Sequence, residues 1–536
     1  MTRAFDLMVF NARPWTRGGR VEGADAIGVA GGEIVAVGAK RALDEQCAAS
    51  TRRIDARGGT VTPGICDAHL HLVAWSRSLH EVHLDGLRSS REVVAALLER
   101  SHETSAELPL IGRGWAADGW DTPPDRETLD AAIPGRVVLL HSRDYHAVWV
   151  NSAAMVSAGV HRGTVDPPGG RIERRPSGEP TGVFREHAAR VFDGLIPVPT
   201  VDTDLTLVQD AVQRLLSQGV TAVHDFEGDA EAEVLRAMSS CGGPRVRVLM
   251  HRPKGALDRL LANPSPPGDE WFAWGALKLF ADGTLGSRTA SLLQPYDGTE
   301  ERGLTLIPPD ELKGLVGRSV RGGLSVAIHA IGDHAVRVGL DAFESCGHAL
   351  GRLRLPPRIE HAQLVDDRDL RRFADLGVAA SMQPQHCVTD RPLVERLWRQ
   401  RAARSYPWRT LFDSGARLAF GSDAPVEPPI PALGLHAAVT REATNRPGDA
   451  FVAAQRIALD EALSAYTEGP ARLAAQWPRY GSLAVGSVAD LVVWDTDLHR
   501  LAPSRLHEAA PAFTLLAGEV VFVRDAVAAA TGTGDR

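Results

Sequence analysis

The middle of this 536-residue chain repeats one texture: a short strand-like run, a longer amphipathic stretch, then another run. Eight strand candidates stand out: Thr60–Asp67, Val220–Phe226, Arg245–His251, Ala273–Phe280, Leu324–His329, Arg358–His361, Val378–Gln383 and Arg417–Gly421. Amphipathic segments such as Leu205–Gln218 and Asp310–Arg321 separate most of them. Alternation of this kind predicts a parallel sheet with helices packed outside it. Eight strands is the count at which such a sheet closes. The expected fold class is α/β, a (β/α)8 TIM-type barrel, and a chain this long needs further units as well.

Those units lie at the ends and in one long gap. The first sixty residues and the segments Gly481–Asp495 and Leu515–Val523 share short apolar runs punctuated by glycine, which is strand-and-turn patterning. One composite β-sandwich domain, built from 1–58 and 479–525, is expected beside a barrel spanning 59–478. The residues from about Ala526 are small and polar, and are expected to fray. Between the first two strand candidates lie about 150 residues, far more than an ordinary βα connection. Helical patterning at Ser90–Ser101, several tryptophans and the Pro/Gly-rich run Val165–Gly182 predict a folded cap with a hairpin, at about 76–204.

Composition excludes several classes of function. A formal net charge of −8 gives no basic footprint for nucleic acid or anionic lipid. No run approaches the ~18 apolar residues of a membrane span. Asp6 interrupts the N-terminal apolar run, and no signal-peptide cleavage pattern follows it. The five cysteines are scattered and form no CxxC pair, so neither a disulfide framework nor a thiolate metal site is indicated. The expectation is a cytoplasmic protein acting on a small molecule, without nucleic-acid or membrane partners, and with a homodimer as the prior for its assembly.

The polar residues fall at one end of the strands. In PGICDAHLHL (Pro63–Leu72), Asp67, His69 and His71 share a strand face. Neutral imidazoles so spaced can bind one metal ion, although a lone HxH also occurs as two polar histidines in a strand-end loop. His329 in LSVAIHAIGDHA, His361 in LPPRIEHAQL and Asp423 in RLAFGSDAPVEP stand at the C-terminal ends of later strands. That is the face on which barrel enzymes place their chemistry. In GALKLFADGTLGSRTA, the leucines beside Lys278 suit packing on outer helices, which directs Lys278 inward. Such a lysine either pairs with a carboxylate, Asp282 or Asp423, or stays neutral and captures CO2 as a carbamate able to bridge two cations.

Taken together, these motifs resemble the amidohydrolase superfamily, and more narrowly amidohydrolase family 3, the YtcJ-like group that includes N-substituted formamide deformylases. The resemblance covers nearly the whole chain: the HxH strand, KLFADGTLGSRTA, IHAIGDHA, RIEHAQ, FGSDAPV, GSLAVGSVADLVV, and in the cap GRGWAADGW and DYHAVWVNSAA. It implies that His69, His71 and Asp423 hold the more buried of two divalent metal ions and that His329 and His361 hold the second. Lys278, N-carboxylated, would bridge them. Zinc is the expected metal, and the same ligands accept manganese, iron or cobalt. Cys66 replaces a larger apolar residue on the face opposite the histidines and reads as packing.

The implied reaction is hydrolysis of an amide-type C–N bond, with N-acyl or N-formyl amines as substrates and Asp423 as general base and then acid. His146 and His386 are candidate donors to the tetrahedral intermediate, with structural hydrogen bonds as the alternative. Arg288 and Asp282 are candidates for ordering the loop over the site. Trp115 and Trp120 either line the substrate pocket or form the core of the cap. A deaminase or cyclic-amide hydrolase on the same centre, a mononuclear enzyme with unmodified Lys278 and an inactive barrel scaffold remain as alternatives.

Overall fold

The computed structural model describes residues 4–16, 19–103, 108–196, 199–263 and 268–524. The expectation for the tail from Ala526 lies outside the described residues. Eight parallel strands form one sheet in the order of the chain. They are β1 (Ile65–Leu70), β2 (Val220–Asp225), β3 (Arg247–Pro253), β4 (Phe272–Phe280), β5 (Val326–Ala330), β6 (Arg358–His361), β7 (Ala379–Met382) and β8 (Leu418–Phe420). Three contacts join β8 back to β1: Ser422 N–H to Asp67 Oδ1 at 3.0 Å, Asp423 N–H to the His69 carbonyl at 2.7 Å, and His71 N–H to the Ala424 carbonyl at 2.8 Å. The approach depends on Gly421, where a Cβ would lie 2.4 Å from His69 N.

The helices between the strands follow ordinary end signals. Pro309–Arg321 begins with proline, has Asp310 and Glu311 in its first turn and ends on Arg318 and Arg321, each sign favoured by the helix dipole. Val201–Ser217 is capped by Thr200, whose hydroxyl accepts the Thr203 N–H. The buried faces of these helices join the outward side chains of the strands in the largest apolar core, for example Val208, Val212 and Leu215 with Val220 and Val223.

One strand expectation is corrected. Thr60–Asp67 is not a single barrel strand. Thr60–Pro63 pairs antiparallel with Leu491–Trp494 in the terminal domain, and the barrel strand begins at Ile65 and runs on to Leu70. Gly64 marks the break, and its missing side chain leaves room for Thr221, whose Oγ1 would lie 2.1 Å from a Cβ.

The terminal domain is a sandwich of a four-stranded and a six-stranded sheet. Leu7, Val9, Ile27 and Ile54 from the N-terminal segment meet Leu491, Val493, Phe513 and Leu515 from the C-terminal one in a shared core. The cap, inserted after β1, is a mixed six-stranded sheet containing the hairpin Gly170–Arg174/Pro180–Glu186. Among the described residues no helix is long and apolar enough to cross a membrane, and all five cysteines are free thiols.

Candidate metal centre

The C-terminal mouth of the barrel gathers the predicted ligands. Asp423 Oδ1 lies 3.4 Å from His69 Nε2 and 3.5 Å from His71 Nε2, and its Oδ2 lies 3.9 Å from His386 Nε2. Among the described residues, His69, His71 and Asp423 form one group whose ligand atoms lie within 4.8 Å of one another. His361, His386 and Asp423 form a second. The His361 ring stands 4.9 Å from that of His69 and 4.5 Å from that of His329. His386, expected as a substrate contact, therefore stands among the ligand candidates, while His329 joins through its contact with His361.

Hydrogen bonds assign the imidazole faces. A carboxylate and an amide oxygen accept only, so His69 Nδ1 donates to Glu360 Oε2 at 2.7 Å and His361 Nδ1 donates to Gln383 Oε1 at 2.8 Å. Both rings then keep the Nε2 lone pair free. His329 is turned the other way, with Nε2 3.2 Å from the Gly283 carbonyl, which leaves Nδ1 as its lone pair. Burial pushes all three histidines well below the ordinary imidazole range: the Lys278 charge adds to it for His69 and His329, and the neighbouring histidines for His361. Neutral imidazole is the ligating form. Burial opposes ionisation of Asp423, but the hydrogen bond from His71 and the nearby rings of His69 and His386 prevail and hold it well below the usual carboxylate range. The donor set therefore fits divalent cations, with neutral nitrogens around an ionised carboxylate.

Lys278 points into the barrel and is buried, with Nζ 4.5 Å from the centre of the Phe226 ring and 4.8 Å from that of Phe280. Among the described residues no carboxylate oxygen lies within 4 Å of it, so the ion pair with Asp282 or Asp423 does not form. Burial lowers its pKa to about 8. Asp282 is occupied elsewhere: its carboxylate accepts the N–H groups of Ser291, Ile331 and Gly332, tying the loops after β4 and β5 together.

The cap completes the mouth. The His146 ring lies 6.1 Å from that of His329, and its Nδ1 lies 2.8 Å from Glu186 Oε2. Burial alone would depress this histidine, but Glu186, Asp144 and Asp423 raise it to about 9, so it is a cation at neutral pH. Hydroxyls of the loop after β4 bind the cap carboxylates: Thr284 Oγ1 donates to Asp144 at 2.7 Å, and Thr289 donates to Glu186.

Two further candidates have clear surroundings. Trp115 belongs to the core of the cap; it is buried, its Nε1 donates to the Leu140 carbonyl at 2.8 Å and it meets Trp149 edge-on. An indole placed here serves packing because its one donor is already used. Arg288 is exposed on a left-handed backbone (φ 55°) in the loop after β4.

The sequence reading missed Glu360, Arg358, Gln383, Asp144 and Glu186. The first two carried a signal: in Arg358–Ile359–Glu360 strand alternation puts both charges on one face. That face is the barrel interior. By the same alternation His361 would point away, but its backbone turns left-handed (φ 74°) at the strand end and it joins the site.

Fold and site together define a (β/α)8 barrel with a candidate cation centre at the mouth where such barrels do chemistry. Residues 52–522 match the amidohydrolase family, and the chain belongs to that family. It is 32% identical over 517 residues to YtcJ of Bacillus subtilis (strain 168), covering 93% of this chain and 96% of that one. The N-substituted formamide deformylase of Arthrobacter pascens is 28% identical, at 95% and 96% coverage. A crystal structure of an uncharacterized metal-dependent hydrolase from Pyrococcus horikoshii OT3 superposes with a TM-score of 0.74 at 27% identity, covering 93% and 99%.

Proposed function

We propose that this protein is a metal-dependent hydrolase of amide-type C–N bonds, acting on N-acyl or N-formyl amines. The observation that carries the reading is the convergence on Asp423 of His69, His71 and His386, with His361 and His329 alongside. The resemblance to a formamide deformylase along nearly the whole chain supports the substrate class.

His69 and His71 would hold one divalent cation with Asp423, and His361 and His329 the other. Lys278 suits the bridging role once its buried amine has taken up CO2 and lost a proton, giving an anionic carbamate. Bound cations at this place supply Lewis acidity toward water and toward a carbonyl oxygen. Asp423, ionised and beside the reacting centre, takes a proton from the attacking water and returns it to the leaving nitrogen. His146, held cationic by Glu186, donates to the oxygen on which negative charge develops.

A hydrolysis screen of N-formyl and N-acyl amines, with metal-reconstituted protein and products identified by mass, tests the reading. Release of the free amine with formate or the acid is expected. Ammonia release from amino-heterocycles, with no turnover of any N-acyl amine, would replace it with a deaminase.

A further inference from the structure

Beneath the candidate metal centre, the interior of the barrel holds a buried ion pair where apolar layers are usual. Arg358 and Glu360, on β6, are 1% and 0% exposed. Arg358 Nε donates to Glu360 Oε1 at 2.5 Å, and its Nη2 donates to Oε2 at 2.9 Å. The same Nη2 reaches the Ala68 carbonyl on β1 and Ser381 Oγ on β7, both at 2.7 Å. Nη1 donates to His224 Nδ1 on β2 at 2.9 Å. One guanidinium thus braces four strands of the barrel and fixes the plane of a single carboxylate.

A buried ion pair is a poor device for stability, because desolvation of the two charges consumes most of their attraction. A residue pair kept at that cost invites a role other than packing. Among the described residues, the carboxylate of Glu360 has one further hydrogen-bond partner, the Nδ1–H of His69, at 2.7 Å. Phe226 stacks on the other side of the problem: its ring lies 4.0 Å from that of His69 and nearly parallel, so the imidazole plane is held as well. Hydrogen bond and stack together leave His69 one orientation, with Nε2 toward Asp423.

We propose that Glu360, braced by Arg358, is the positioning residue of the deeper metal pocket, fixing the tautomer of His69 and lending its nitrogen the electron density of a carboxylate-bound imidazole. Outer partners of metal-bound histidines act in this way, and losing one weakens binding by about 10–100-fold. The inference rests on the metal reading above.

The test separates the two. Metal-stripped wild-type protein is titrated with Zn(II) against a chromophoric chelator, and the visible band of the Co(II)-loaded protein is recorded. A wild type that binds neither ion overturns the metal reading itself. Glu360→Gln keeps the shape and an oxygen acceptor but removes the charge. It is expected to bind Zn(II) about 10–100-fold more weakly, with a shifted Co(II) band. Equal affinity and an equal band overturn the proposal and leave the metal reading standing. Trp115→Phe, in the core of the cap, controls for a general loss of stability; an equal weakening of Zn(II) binding there also overturns the proposal. Should Glu360→Gln not fold, 15N-histidine spectra of the metal-free wild type decide instead, with the His69 signals assigned by their loss in His69→Gln. The Nδ1–H tautomer is expected, and the Nε2–H tautomer overturns the proposal.

Discussion

The backbone N–H of Asp423 donates to the carbonyl of His69 across 2.7 Å, so the first and last strands of the barrel are joined at two residues of the candidate metal centre. The contacts that close the barrel and those that bring the site together therefore share residues. The small residue that permits them is Gly421, which leaves no side chain between the strands.

Gly421→Ala is expected to damage both at once. Its Cβ would meet His69 N at 2.4 Å and Asp67 Oδ1 at 2.7 Å, neither of which is a flexible chain end. Overpacking of this kind costs about 1–3 kcal/mol. A lower Tm by calorimetry together with weaker metal binding is expected; a wild-type Tm would show that the strands can part without cost.

Asp423→Asn removes the proton acceptor and keeps the shape. If Asp423 is the general base and acid, kcat falls by about 10²–10⁴-fold, while metal content by mass spectrometry stays measurable. Full kcat with both ions retained would move the proton transfers to another group.

Lys278→Ala is expected to lose metal and activity together, with partial recovery in short carboxylic acids that replace the bridging carboxylate. Intact mass of the active wild type should carry one added CO2. An active, metal-loaded protein of unmodified mass would leave Lys278 a buried amine on Phe226.

Glu186→Gln tests the cation in the cap. His146 stands at about 9 because the carboxylates around it outweigh burial. Without the Glu186 charge burial gains, the His146 pKa falls, and the alkaline limb of the kcat profile moves to lower pH. The sign for stability follows: a pKa raised from 6.5 contributes stability that is complete below pH 6.5 and lost as the pH rises through about 9. The stability difference between wild type and variant in chemical unfolding should change between pH 6 and pH 10, as the His146 contribution is lost.

Trp115→Phe distinguishes the core of the cap from the pocket. Losing the hydrogen bond to the Leu140 carbonyl costs about 1 kcal/mol, which lowers Tm and leaves KM unchanged. A raised KM at an unchanged Tm would put the indole against substrate.

Much of this protein is legible along the chain because its signals are local and periodic. Strand alternation placed Lys278 inward, and HxH with the later strand ends named His69, His71, His329, His361 and Asp423. Those signals come from the two-residue period of strands and from polar residues where a buried strand should be apolar. The same period, read without a partner strand, merged Thr60–Pro63 with Ile65–Leu70, since nothing local says that two successive runs join different sheets. Trp115 illustrates the same limit, because an indole in a core and an indole lining a pocket have the same sequence.

By itself, then, the sequence determined the barrel, its two added units and the chemical types that meet at its mouth, because apolar periodicity and strand-end position are properties of short segments. Tertiary structure alone decided which nitrogen each histidine offers, that His386 stands beside Asp423, that Glu186 keeps His146 charged, and that Arg358 and Glu360 brace His69 from below. Those relations join residues far apart in the chain, such as His69 and Glu360, and hydrogen-bond geometry and burial between them exist only once the strands have closed.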